Sequence, residues 1–170
     1  MDHPNIVKGL HYCETDKLYC IYMEYAGFGS DYLSRKVLGK NKPVKDEKMG
    51  IWAQDVLTAI YYLHQRGVIH TDIKIDNILI FEQESQEQGE QDMEECPIAK
   101  ICDFGLCHLI DPQKQMAYME VSVGTLDYQA PEMADQTWIT PAVDMWAFGI
   151  VLYEMAVGYK PKKIKHLNLP

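Results

Sequence analysis

The chain has 170 residues, 47% of them hydrophobic and 24% charged, with a formal net charge of −9. That is enough apolar material for the core of one domain, or a large part of one, and nothing requires two complete domains. The acidity argues against nucleic acid as the main partner, because a phosphate backbone is held through an excess of Lys and Arg.

The opening MDHPNIVKGL has no basic region running into an apolar one, so no signal peptide is read there. Leu18 to Tyr25 (LYCIYMEY) is rich in aromatic residues and predicts a strand, with a turn after it at Gly27 and Gly29. Ser30 or Asp31 then caps a short helix through Val37. Between Asp46 and Arg66 the apolar residues Trp52, Val56, Ala59, Ile60 and Leu63 recur at helical spacing, with Gly67 just past the end, which predicts an amphipathic helix. Next comes VIHTDIKIDNILI, which sets His70, Asp72, Lys74, Asp76 and Asn77 between two apolar runs that read as strand. Such polar groups are usually solvated turn residues. Here Ile69, Ile73, Ile75, Ile78 and Leu79 demand burial among them, and ionisable groups on a partly buried loop make a candidate site.

Strands are predicted at Asn77 to Phe81 and Ala99 to Cys102. Between them, 82–97 reads as a disordered acidic surface insertion: seven acidic residues from Glu82 to Glu95 with no Lys or Arg, without which the chain would carry about −2. Thr140 and Pro141 predict a helix start, and the helix runs to about Val157. It is apolar nearly all round, through Met145, Trp146, Phe148, Ile150, Val151, Leu152 and Met155, and needs neighbours on every side. The short basic tail YKPKKIKHLNLP cannot cover it, so the chain reads as cut short there. Asp144 and Glu154 interrupt this stretch, which is also short for a bilayer span, so no membrane association is expected. Asp144, a charge on an apolar helix, must be paired or hydrogen-bonded. Five cysteines without a CxxC pair cannot close a full disulfide framework and predict a reducing, cytoplasmic setting.

Asp103, Phe104 and Gly105 follow an apolar strand, and Ala130, Pro131 and Glu132 close the segment after them. The order HxDxKxxN, DFG, APE resembles the eukaryotic protein kinases. Each triplet alone is a weak signal; the three in this order are a strong one. The resemblance covers nearly the whole chain. HPNIV (His3 to Val7) is similar to the turn after the regulatory helix of the small lobe, and Met23, Glu24, Tyr25 and Ala26 are similar to the gatekeeper and hinge. It implies an α+β, protein-kinase-like fold: the last small-lobe strands and hinge (1–26), then part of the helical large lobe (27–170), incomplete at both ends.

The resemblance also implies a protein serine/threonine kinase that uses ATP and Mg²⁺ on a protein substrate with a Ser or Thr acceptor. Lys74, two places after Asp72, and Thr125 in GTLDYQAPE point to the Ser/Thr branch. Asp72 would orient the acceptor hydroxyl and take its proton, and with an ordinary carboxylate pKa it is a weak base, so positioning should dominate. Lys74 would sit by the transferring phosphate, and Asn77 and Asp103 offer hard oxygen ligands that suit Mg²⁺. Backbone groups at Glu24 and Ala26 would bond adenine beside the gatekeeper Met23. Leu79 would form part of its floor, and Cys102 belongs to the same nucleotide-binding set. His70 and Phe104 would pack the interior, and Asp144 would anchor the backbone around His70 and Thr71.

The chain also departs from the family pattern. Thr71 stands where most of the family has an Arg that pairs with a phosphate on the activation segment. Four places before Thr125, Val121 occupies the usual acceptor position and cannot be phosphorylated; Ser122 is the neighbouring alternative. Activation-segment phosphorylation is therefore expected to be dispensable. No GxGxxG loop or VAIK-like lysine precedes the hinge, and Gly27, Phe28 and Gly29 follow it and cannot substitute. Losing one preorganised donor can cost ~10²- to 10³-fold in rate, so transfer by this stretch alone is expected to be impaired. A catalytically inactive kinase-like interaction module is the alternative, and a non-kinase globular protein with chance motifs a third. Intact Asp72, Asn77 and Asp103 favour the enzyme, since an interaction module has no chemical need of them.

Overall fold

The computed structural model of the chain describes residues 2–37, 42–82, 97–134 and 137–161. The predicted acidic insertion therefore lies outside the described residues except at Glu82 and Pro97, as does most of the basic tail. The chain opens with a hairpin of β1 (Gly9–Glu14) and β2 (Tyr19–Met23), in which Cys13 faces Cys20. β2 matches the aromatic run; β1 was not expected. Gly9, His11 and Glu14 dilute its strand pattern, and it becomes a strand through pairing with β2 rather than by propensity.

A short helix α1 (Tyr32–Val37) follows, with Asp31 bridging Arg35 at 2.8 Å across its first turn. The long helix α2 (Asp46–Gln65) buries the predicted stripe of Trp52, Val56, Ala59, Ile60 and Leu63. It stops at Gly67, whose φ of 69° lets the chain turn sharply into β3 (Val68–Ile69). A 3-10 turn, Ile75–Asn77, leads into β4 (Ile78–Phe81), which pairs with β5 (Ile98–Ile101). The two-residue strands β6 (His108–Leu109), β7 (Ala117–Tyr118) and β8 (Trp138–Ile139) precede α3 (Ala142–Val157). Among the described residues the strands pair antiparallel in twos: β1 with β2, β3 with β6, β4 with β5, β7 with β8.

One core holds the parts together. The stripe of α2 meets Ala147, Phe148, Val151 and Met155 of α3, and Ile73, Ile75, Ile78 and Ile80 are buried with them. Each buried Ile or Leu contributes about 1.5–3 kcal/mol, so the isoleucines of the polar loop pin it to the helices and leave its polar residues little freedom. A second cluster packs Ile69, Met119, Met133, Ile139 and Val143 under the segment that follows DFG. Although α3 is apolar nearly all round, two of its large residues, Met145 and Tyr153, remain 43% and 38% exposed among the described residues.

The edge of β5 is tied down by side chains from two directions. Asn5 receives the Ile101 amide on its carbonyl (2.9 Å) and donates its side-chain amide to Ala99 O (3.1 Å). Asp55 of α2 accepts from Ala99 N at 2.9 Å, and Trp52 Nε1 donates to Pro97 O at 2.6 Å.

Candidate active site

Asp144 is fully buried in the first turn of α3, where its carboxylate accepts the amides of His70 (Oδ2, 2.9 Å) and Thr71 (Oδ1, 2.9 Å). His64 Nε2 lies 2.8 Å from Oδ2. A buried carboxylate is tolerated where several donors satisfy it, and these donors fix the loop's backbone. His70 is held in turn: its Nε2 lies 3.1 Å from Cys102 O, its ring is 5.0 Å from Phe104, and burial lowers its pKa. The expectations of an anchor at Asp144 and of packing roles for His70 and Phe104 agree with this geometry.

Thr71 has φ 63°, uncommon for any residue but Gly and more so for a β-branched one. The bend that it makes turns the Asp72 side chain back over the loop into a dense set of donors. Asp72 Oδ1 accepts Thr125 N (2.9 Å) and Thr125 Oγ1 (2.8 Å); Oδ2 accepts Lys74 Nζ (2.7 Å) and Asn77 Nδ2 (3.1 Å). Lys74 Nζ also donates to Thr125 Oγ1 at 2.9 Å. Burial alone would raise the Asp72 carboxyl, but the bonds from Lys74 and Thr125 and the Lys74 charge outweigh it, and its pKa is lowered. Four predicted residues, more than fifty positions apart at the extremes, thus share one network.

Sequence reasoning missed Gly124, on which this network depends. Its φ is 89°, and a Cβ there would collide with the carbonyl oxygen of Thr71. Only a glycine lets the strand of chain before Thr125 lie this close to the loop. The signal was present in the sequence as the Gly immediately before Thr125.

Asn77 spends its Nδ2 on Asp72 O (2.9 Å) and Oδ2, which leaves its side-chain oxygen for another partner. Its own carbonyl accepts Cys102 N at 3.0 Å and so sets the start of the DFG segment beside it. Asp103 follows at φ 65°, exposed, with its Oδ1 accepting Gly105 N at 3.3 Å. It is one residue from the tie to Asn77 and bonds none of the Asp72 set. Among the described residues no group of three His, Cys, Asp or Glu forms a preformed metal cluster. A hard cation with few protein ligands is suited by the Asn77 oxygen and the Asp103 carboxylate.

The predicted adenine residues divide. Ala26, Leu79 and Cys102 meet in one small apolar cluster with Phe81 and Val7. Glu24 N donates to Lys8 O at 3.0 Å and Ala26 O accepts Gly29 N at 2.9 Å, so among the described residues Glu24 O and Ala26 N have no hydrogen-bond partner. The Glu24 side chain turns the other way, to Lys100 (2.8 Å) and Lys8 N (2.8 Å). Met23 is 45% exposed and stands outside the apolar cluster.

A second buried carboxylate was not foreseen as part of the site. Glu154 of α3 is fully buried, and the Tyr128 hydroxyl donates to its Oε2 at 2.8 Å and Oε1 at 3.0 Å. Burial pushes Glu154 up to about 7, and burial with the facing Glu154 raises Tyr128. Tyr128 ends the 3-10 turn capped by Thr125, so α3 holds the network from both sides: Asp144 through the loop, Glu154 through the turn.

The family model described as protein kinase domain matches residues 1–168. The chain belongs to the protein kinase domain family. It is 32% identical over 169 residues to CBL-interacting protein kinase 25 of Oryza sativa subsp. japonica, a match covering 98% of this chain and 30% of the relative. It is 35% identical over 160 residues to mitogen-activated protein kinase kinase kinase dlk-1 of Caenorhabditis elegans (94% and 15%). An Aurora kinase of Candida glabrata matches at 31% over 161 residues (95% and 40%). The chain thus spans less than half the length of these curated relatives. The match agrees with the expected α+β kinase fold, and no helix among the described residues is long and apolar enough to cross a membrane.

Proposed function

We propose that the protein transfers the γ-phosphate of Mg²⁺-ATP to a Ser or Thr hydroxyl of a protein substrate. The observation that carries this is the convergence of Lys74, Asn77 and Thr125 on the Asp72 carboxylate. Phosphoryl transfer needs a nucleophile held in line and the charge on the phosphoryl oxygens balanced, rather than covalent help from the protein. Asp72 orients the acceptor hydroxyl and takes its proton. Its lowered pKa makes it a weak base, so placement outweighs proton affinity in its contribution.

Lys74 is within reach of both Asp72 and the hydroxyl of Thr125, where a cation balances charge at the transferring group. The Asn77 side-chain oxygen and Asp103 would hold Mg²⁺, which supplies charge neutralisation between the phosphates when bound. Ala26 N and Glu24 O supply the donor and acceptor that an adenine edge needs, over the floor of Leu79 and Cys102. Met23, although the gatekeeper by resemblance, has no part in this floor.

The test is labelled-phosphate transfer to Ser and Thr peptides by the full-length protein with Mg²⁺-ATP. Asp72→Asn is expected to lower kcat by ~10²- to 10⁴-fold with little change in nucleotide affinity. No transfer by the parent protein, or transfer that survives Asp72→Asn, overturns the reading.

A further inference from the structure

A β-branched residue in the left-handed region is held there against its own preference, so what holds Thr71 bears on how the site is assembled. Thr71 is 7% exposed and tied to three separate parts of the chain. Its amide donates to Asp144 Oδ1 of α3 at 2.9 Å. Its hydroxyl donates to the carbonyl of Leu106, three residues into the segment that begins at Asp103. Its own carbonyl lies against Gly124, at the far end of that segment, close enough that no side chain fits there. One end of segment 103–125 is thus hydrogen-bonded to Thr71 and the other is packed closely against it, both on one residue of the loop that carries Asp72.

No phosphate is needed for any of these ties. The only cation on the loop 70–77 is Lys74, already engaged by Asp72 and Thr125, so the loop offers no spare cation for a phosphorylated residue. Ser122 is exposed, with no hydrogen-bond partner among the described residues.

We propose that Thr71 is a positioning residue: its hydroxyl on Leu106 and its carbonyl under Gly124 fix segment 103–125 against the loop, so that Asp72 and Thr125 meet without phosphorylation. This rests on the kinase reading above for its consequence on activity, but the structural claim is separable from it. Valine at position 71 keeps the shape and the β-branch and removes only the hydroxyl. Serine keeps the hydroxyl and removes the methyl.

The experiment is hydrogen–deuterium exchange on full-length protein treated with phosphatase, with peptide phosphorylation measured on the same samples. Thr71→Val is expected to speed exchange of the amides in 104–125 by about two- to tenfold, the range for one lost hydrogen bond. Exchange in α2 stays unchanged and kcat falls with KM for ATP held. Thr71→Ser restores both parent values, and neither phosphatase treatment nor Ser122→Ala alters them. Should Thr71→Val also release α2, the pair Thr71→Ala and Thr71→Ser carries the test, since alanine lacks the β-branch that strains the backbone. Unchanged exchange in the hydroxyl-free variants, or faster exchange on phosphatase treatment of the parent, overturns the proposal. Absence of transfer by the parent overturns the kinase reading alone and leaves the exchange result to stand.

Discussion

Two segments carry most of the candidate site residues, 70–77 and 103–106, and each is bent by one residue in the left-handed region, Thr71 at φ 63° and Asp103 at φ 65°. They are secured very differently. Thr71 is buried with ties to Asp144, Leu106 and Gly124, and the Asp72 carboxylate beside it accepts four hydrogen bonds. Asp103 is exposed, and its carboxylate accepts one amide, Gly105 N at 3.3 Å. The half that, on the proposed function, would orient the acceptor is set by folding. The half that would meet the cation on that reading presents an exposed carboxylate with one partner, left open to a further ligand. Rigid placement where geometry governs rate, and freedom where a metal must enter and leave, follow from the same chemistry.

The largest effect should come from removing the support under the rigid half. Asp144→Ala leaves the His70 and Thr71 amides and His64 without their acceptor and is expected to cost about 3–5 kcal/mol in urea denaturation. A cost below about 1 kcal/mol would mean that the loop is held by its isoleucines alone, and the contrast would break.

Next is the second carboxylate of α3. Glu154 sits at about 7 in the folded chain against an ordinary 4.5, so between those values the folded state keeps a proton that the unfolded chain has released. Stability must therefore fall as pH rises through that window. Glu154→Gln should abolish the fall and be more stable than the parent above neutrality, by roughly 1–3 kcal/mol, with the difference vanishing below pH ~4.5. Denaturation midpoints on either side of the window read this directly.

The exposed half should behave oppositely. Asp103→Ala is expected to leave stability within about 0.5 kcal/mol of the parent while Mg²⁺-dependent nucleotide binding, followed by calorimetry, weakens by roughly tenfold or more. A large loss of stability would show that Asp103 is as embedded as Asp72. The smallest effect concerns Cys102, whose thiol is pushed up to about 11 by burial and then by the charge of Asp103. Near neutral pH it should alkylate more slowly than Cys13 and Cys20, read by mass spectrometry site by site. Asp103→Ala should raise its rate slightly.

The helices were legible because their information is local. The apolar stripe of α2 and the Thr140-Pro141 start of α3 are set by spacing and dihedral preference, and both helices fall within a residue or two of the expected bounds. The need for a partner at Asp144 was equally visible, since a charge among Val143, Met145 and Trp146 has no other way to be tolerated. Glu154 has the same need, but its partner Tyr128 lies twenty-six residues earlier in the chain, where no local pattern points to it. β1 and the two-residue strands β6, β7 and β8 carry no pattern of their own and exist through their partners. The bend at Thr71 runs against what a β-branched residue prefers, so no local rule could announce it; only Asp144, Leu106 and Gly124 together make it visible.

The β4–β5 pair closes with Phe81 opposite Ile98, and its return strand is clamped by Trp52, Asp55 and Asn5. Chain leaving at Glu82 is therefore delivered back at Pro97 in a register dictated from outside the excursion. Because loop closure grows only as the logarithm of length, by about 0.6 kcal/mol per doubling, the wording of that excursion is decoupled from the loop 70–77 that precedes β4. Evolution, or an engineer grafting a reporter or an epitope, can rewrite this paragraph of the sequence without editing the grammar of the loop that holds Asp72.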